Sequence, residues 1–142
     1  KGNSTEVSRY SYNDESLAPG TYNYRIKQID FNGTSEYYDL HNEIEIAAPD
    51  NYELSQNYPN PFNPSTKINF VTSETSNVSL KLYNSLGVEI KEIVSGLYTA
   101  GYYSVEINSE GLASGVYYYK LIAQGSNNEN SFSAVKKMIL MK

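Results

Sequence analysis

Gln56-Asn57-Tyr58-Pro59-Asn60-Pro61-Phe62-Asn63-Pro64-Ser65-Thr66 decides how this chain divides, because three prolines within six residues fit neither a helix interior nor a central strand. The stretch marks a boundary. Its prolines pre-set an extended backbone at low entropic cost, so it reads as a stiff spacer that also opens the first strand after it. From Ser65 to Lys142 the chain is a ladder of short alternating segments. The division expected is a front piece at residues 1–48, a Pro-rich linker at 49–65 and a terminal module at 66–142.

Working outward from the prolines, period two recurs. Ile68 and Phe70 share a face within Lys67–Thr72, and Val78, Leu80 and Leu82 do the same before Asn84-Ser85-Leu86-Gly87 turns the chain into Val88–Val94. Gly96 and Gly101 bracket a loop ahead of Tyr103, Val105 and Ile107; Val116–Ala123 is the strongest strand, and Phe132–Met141 is the last. About seven short strands at hairpin spacing predict an all-β, immunoglobulin-like β-sandwich. No window of about a dozen residues carries apolar positions at helical spacing. The 15 Tyr against 4 Phe and no Trp agree with this, since tyrosine suits half-buried pleated surfaces where the ring packs and the hydroxyl reaches a partner.

Ahead of the prolines, Glu6–Tyr12, Thr21–Phe31 and Glu36–Ile46 alternate as well, the last two joined by Asn32-Gly33. These make a partial β-sandwich of about three strands. A complete one needs about seven, so the front piece is expected to be an incomplete domain whose missing strands lie upstream or in another chain. Alone, three strands leave an apolar face and open edges.

An internal echo links the two parts. Leu17-Ala18-Pro19-Gly20-Thr21-Tyr22 matches Leu112-Ala113-Ser114-Gly115-Val116-Tyr117 at most positions. A glycine turn feeding a strand with an early tyrosine is the pattern of a tyrosine corner, whose hydroxyl bonds to the upstream backbone and locks a crossing between sheets. Tyr22 and Tyr117 are the candidates.

Bulk properties narrow the partners. Lys+Arg of 11 against Asp+Glu of 16 gives a net charge of -5, which disfavours nucleic acid and anionic lipid. No apolar run approaches the roughly 20 residues of a membrane span, and Lys1-Gly2-Asn3-Ser4-Thr5 lacks a signal peptide's apolar core, which leaves either a cytoplasmic protein or, the preferred expectation, the mature C-terminal fragment of a longer exported one. The absence of cysteine removes disulfides and thiolate chemistry.

The front piece resembles the end of a fibronectin type III or immunoglobulin-like domain, on Leu17-Ala18-Pro19-Gly20-Thr21-Tyr22. From about residue 52 to 142 the chain resembles the type A C-terminal sorting domain of the type IX (Por) secretion system of Bacteroidetes-like bacteria. Four ordered landmarks carry that resemblance: Leu54 to Thr66, Leu82-Tyr83-Asn84-Ser85-Leu86-Gly87, Leu112 to Tyr117, and Lys136-Lys137-Met138-Ile139-Leu140-Met141-Lys142. It implies an address, read by an outer-membrane translocon after the preprotein reaches the periplasm. In that family a sortase-like peptidase commonly removes the tag and anchors the cargo at the outer-membrane surface, or the cargo is secreted, and the resemblance implies the same partners here. Ala47-Ala48-Pro49-Asp50-Asn51 is the expected cleavage region. Pro59, Asn60, Pro61, Phe62, Asn63, Pro64, Gly115, Tyr117, Lys136, Lys137 and Lys142 are the residues expected to be recognised. Turn geometry alone is the simpler role for Gly101 and Gly115. Lys136, Lys137 and Lys142 make the end locally basic on an acidic chain, suited to an acidic receptor or, more plainly, to blocking edge pairing.

Catalysis is not expected. His41, the only histidine, lies between Asp39 and Glu43 as a surface residue, and nothing assembles a triad. Asp30, Asn32 and Asp39 fit turn chemistry better than calcium, and no cofactor or metal is assigned. Sequons at Asn3, Asn32 and Asn77 are short enough to arise by chance. Two other readings differ in class: a carbohydrate-binding sandwich, which needs aromatics clustered on one exposed face where only Tyr118 is expected outward, and a fibre subunit self-associating through the incomplete front sheet.

Overall fold

A computed structural model describes residues 11–14 and 17–142 of the protein. Most of the strand expected at Glu6–Tyr12, and the sequon at Asn3, lie outside the described residues. The chain divides into two units, Lys1–Ala47 and Ala48–Lys142, and the described residues contain strands and no helix.

The first unit contains β1 (Gly20–Ile29) and β2 (Ser35–Ile46), an antiparallel hairpin with a bulge between Tyr22 and Tyr24. Two strands are described where about three were expected. At the turn Gly33 adopts φ +84°, Gly33 N–H donates to Asp30 O, and the Asn32 side chain accepts from Thr34 N–H at 3.0 Å. Asn32 and Asp30 are thus occupied by turn chemistry. His41 is exposed in β2.

The second unit is the sandwich. It contains β3 (Glu53–Leu54), β4 (Ser65–Thr72), β5 (Ser76–Asn84), β6 (Glu89–Tyr98), β7 (Gly101–Asn108), β8 (Gly115–Gly125) and β9 (Ser131–Leu140). One sheet has the order β3-β4-β7 and the other β6-β5-β8-β9, all neighbours antiparallel. The alternation does what it should: Ile68, Phe70, Val78, Leu80, Leu82, Ile107, Tyr119 and Leu121 are buried between the sheets while their sequence neighbours face outward. Full burial of each such side chain stabilises by roughly 1.5–3 kcal/mol.

Three differences from the sequence reading matter. Residues 49–65 are not a spacer: β3 forms the seventh strand from within them, and Leu54, Asn57 and Phe62 are buried at 5%, 2% and 1% exposure. The prolines therefore belong to the sandwich. Gly96 does not border a loop but lies inside β6, paired with Val78, so only Thr99 and Ala100 join β6 to β7. And the expected crossing lock occurs more often than the echo indicated. Tyr22 and Tyr117 donate to Ala18 O (2.6 Å) and Ala113 O (2.7 Å), and Tyr103 donates in the same way to Thr99 O at 2.5 Å. In the sandwich, Tyr103 and Tyr117 begin the strands that cross from one sheet to the other, β6 to β7 and β7 to β8.

Gly20 and Gly115 both hold φ +154°, a region that side-chain-bearing residues rarely enter. This is why the echo preserves glycine two residues before each tyrosine.

Candidate functional site

The four sequence landmarks, spread over some 90 residues of chain, meet at one end of the four-stranded sheet. Antiparallel register puts Asn84, Tyr117 and Met138 in one row across β5, β8 and β9, and Tyr83, Tyr118 and Lys137 in the next. Beyond them Gly115 pairs with Leu140, and Phe62 forms a parallel bridge to Leu140. The last strand is thus flanked on one side by the Leu-Ala-Ser-Gly-Val-Tyr corner and on the other by the proline stretch.

That stretch is tied down by the core's largest buried side chain. Tyr119, fully buried, donates from its hydroxyl to Ser55 O at 2.8 Å and accepts from Asn57 N–H at 2.8 Å. Burial pushes the Tyr119 phenol up to about 12, against the opposing effect of the Asn57 N–H. Asn57 continues the network: its amide donates to Pro59 O (3.1 Å) and Thr66 Oγ1 (3.0 Å), and Thr66 donates to Pro59 O at 2.8 Å. No described buried side-chain polar atom is left without a partner. Since an orphaned buried donor costs about 1–3 kcal/mol, this satisfied network fixes one conformation for residues 55–66.

From that anchored base the stretch runs as a strap along the free edge of β9. Gln56 Nε2 donates to Lys137 O at 2.6 Å, Ile139 N–H to Asn60 Oδ1 at 2.9 Å, Phe62 N–H to Ile139 O at 2.9 Å, and Met141 N–H to Phe62 O at 3.2 Å. Every odd-numbered edge position from 137 to 141 is therefore engaged. The Phe62 ring fills the core beneath. On the opposite side Lys142 N–H donates to Ser114 Oγ at 3.0 Å, joining the chain end to the corner that Tyr117 closes.

The expected recognition residues fall into two groups. Phe62 and Tyr117 are buried, whereas Pro59, Asn60, Pro61, Asn63, Pro64, Gly115, Lys137 and Lys142 are exposed and Lys136 is half-buried. Lys136 takes the core-facing register opposite Tyr119, and Lys137 the outer face opposite Tyr118. Lys136, Lys137 and Lys142 form no salt bridge among the described residues, where Lys81–Glu89 at 3.1 Å is the pair observed. The tail therefore presents Lys137 and Lys142 to solvent without an ion pair among the described residues, with Lys136 half-buried on the other face of β9.

Sequence reasoning missed Gln56, Asn57, Thr66, Ser114 and Tyr119 as site residues. A polar Asn57 flanked by exposed Gln56 and Tyr58 gives no periodic sign of burial. The third corner was findable, because Gly101-Tyr102-Tyr103 repeats the glycine-to-tyrosine spacing of Gly20-Thr21-Tyr22 and Gly115-Val116-Tyr117. Tyr117 and Tyr119 do point inward and Tyr118 outward, with Tyr83 opposite it in the register.

Comparison with known proteins bears on the second unit as a whole. The family described as secretion system C-terminal sorting domain matches residues 56–141, from the strap to the tail. Among solved structures, the chain is similar to the crystal structure of dimeric latent PorU from Porphyromonas gingivalis, with a TM-score of 0.52 and 18% sequence identity. The likeness covers 88% of this chain and 12% of that one, and at this identity it concerns the fold. No curated protein matches.

Proposed function

The chain belongs to the secretion system C-terminal sorting domain family, and from that membership we propose that its second unit is a folded address contacted by the type IX translocon at the outer membrane. The module itself is a C-terminal sorting signal for type IX secretion, so the protein that bears it is exported. The observation that carries the reading is the convergence of strap, corner and tail at one end of one sheet, which the family match spans from end to end. In this reading the chain is a substrate and not an enzyme.

The exposed Lys137 and Lys142 beside the capped strand favour a first contact with an acidic receptor surface, since complementary charge raises encounter rates and fixes register. Removal by a sortase-like peptidase is expected at Ala47-Ala48-Pro49-Asp50-Asn51, because the two units divide between Ala47 and Ala48 and four of these five residues are exposed. The destination is the cell surface or the medium, reached through the periplasm.

The test is a reporter bearing residues 1–142 at its C-terminus, produced in a type IX-competent bacterium and in an isogenic strain lacking the translocon. Export only in the competent strain is expected. Accumulation in the periplasm of both strains rejects the reading.

A further inference from the structure

We propose that the Gln56–Phe62 strap and the Lys137–Lys142 tail are a single composite recognition element, in which the strap seals the backbone of the last strand so that the tail is read by its side chains in fixed register. The inference rests on the sorting reading above and names what that reading recognises.

Three observations lead to it. An uncovered edge strand offers its N–H and C=O groups to any extended segment, and recognition would then proceed by strand addition. At residues 137 to 141 that route is blocked at four groups: Lys137 O, Ile139 N–H, Ile139 O and Met141 N–H are bonded to Gln56, Asn60 and Phe62. What remains accessible is side chain: Lys137, Lys142 and Met141, the last 59% exposed. The seal does not continue along the strand. The same odd-numbered parity turns Ser133 and Val135 outward, and among the described residues neither has a backbone partner beyond β8. Sealing is therefore specific to the half of β9 that carries the tail.

Preorganisation supplies the physical advantage. A terminal strand held on one edge only frays, and a receptor that binds a frayed tail must first order it, losing affinity in proportion to the competent fraction. Here the tail is held on both sides, by the strap and by Ser114 Oγ at Lys142 N–H. Gln56 and Asn60 are accordingly positioning residues that act through the tail's backbone; Gln56 also donates to Oδ1 of the buried Asn57 at 2.7 Å, whereas the exposed Asn60 side chain accepts from Ile139 N–H and its replacement leaves the core intact.

The experiment uses the full chain fused to the reporter, with Asn60→Ala, and with Asn60→Asp, whose carboxylate retains an acceptor for Ile139 N–H. Three quantities are measured: export rate, urea midpoint, and hydrogen exchange of the Ile139 and Met141 amides. Asn60→Ala is expected to speed exchange at the Ile139 amide and to slow export about fivefold, the equivalent of one net hydrogen bond, while urea unfolding stays cooperative. Asn60→Asp is expected to export at the parental rate. Parental export by Asn60→Ala despite faster exchange overturns the composite, and so does unchanged exchange, which means the cap does not hold the tail. Failure of the unsubstituted fusion to be exported is a separate result that removes the sorting reading itself.

Discussion

Tyr119 joins the two ends of the module through one oxygen atom, donating to Ser55 and accepting from Asn57 at the root of the strap. Because its pKa in the folded chain is about 12, above the ordinary value of 10.0, the fold favours the neutral phenol. That contribution is complete below about pH 10 and is lost as pH rises toward 12, amounting to roughly 2–3 kcal/mol. Urea midpoints measured from pH 9 to 12 are expected to fall, and Tyr119→Phe, which has no proton to lose there, is expected to start lower and decline less. A second prediction concerns the corners. Tyr103→Phe and Tyr117→Phe each remove one hydroxyl-to-carbonyl bond while keeping the ring, so each is expected to cost about 1 kcal/mol by urea unfolding. Gly115→Ala is expected to cost about 1–3 kcal/mol because alanine must adopt φ +154°.

At the scale of the element, the strap is as much a part of the sandwich as any strand. Phe62→Ala empties a fully enclosed ring site and is expected to lower stability by about 3–5 kcal/mol, whereas a spacer residue would cost nothing measurable. Calorimetry of the two chains decides between these outcomes. The tail makes a contrasting case: Met138 and Leu140 are core residues at 0% and 1% exposure, so deleting residues 136–142 unfolds the module as well as removing the lysines. Point substitutions separate the two effects. Lys137→Ala is expected to change stability by less than about 0.5 kcal/mol while reducing export, measured by reporter fractionation. These elements also mark how far the sequence could be read. Strands β4, β5, β7, β8 and β9 were legible because each alternates with period two, β6 only as the return from the Asn84–Gly87 turn because register shifts interrupt its alternation, and the corners because glycine and tyrosine occupy positions that backbone geometry dictates. The strap was not, since three prolines announce irregular backbone without saying on which surface it lies. Its burial depends on Tyr119, 62 residues away from Asn57, and its seal depends on a strand at the other end of the chain.

For the whole molecule, the described buried apolar core lies entirely within residues 54–140, inside the second unit. Residues 48–142 are therefore expected to fold alone, with a cooperative urea transition at the midpoint shown by the same unit in the full chain. The hairpin of the first unit behaves oppositely: Ile26, Leu40 and Ile44 stay 46–54% exposed, the condition of a two-stranded sheet that is marginal by itself. The measurement that tests the account most directly is export of a reporter carrying only residues 48–142, compared with a reporter carrying only residues 136–142. A folded address predicts export of the first at the rate given by the full chain and none of the second. Equal export of the two reporters would mean that seven terminal residues suffice without the sandwich, and periplasmic retention of both would mean that the module carries no address at all.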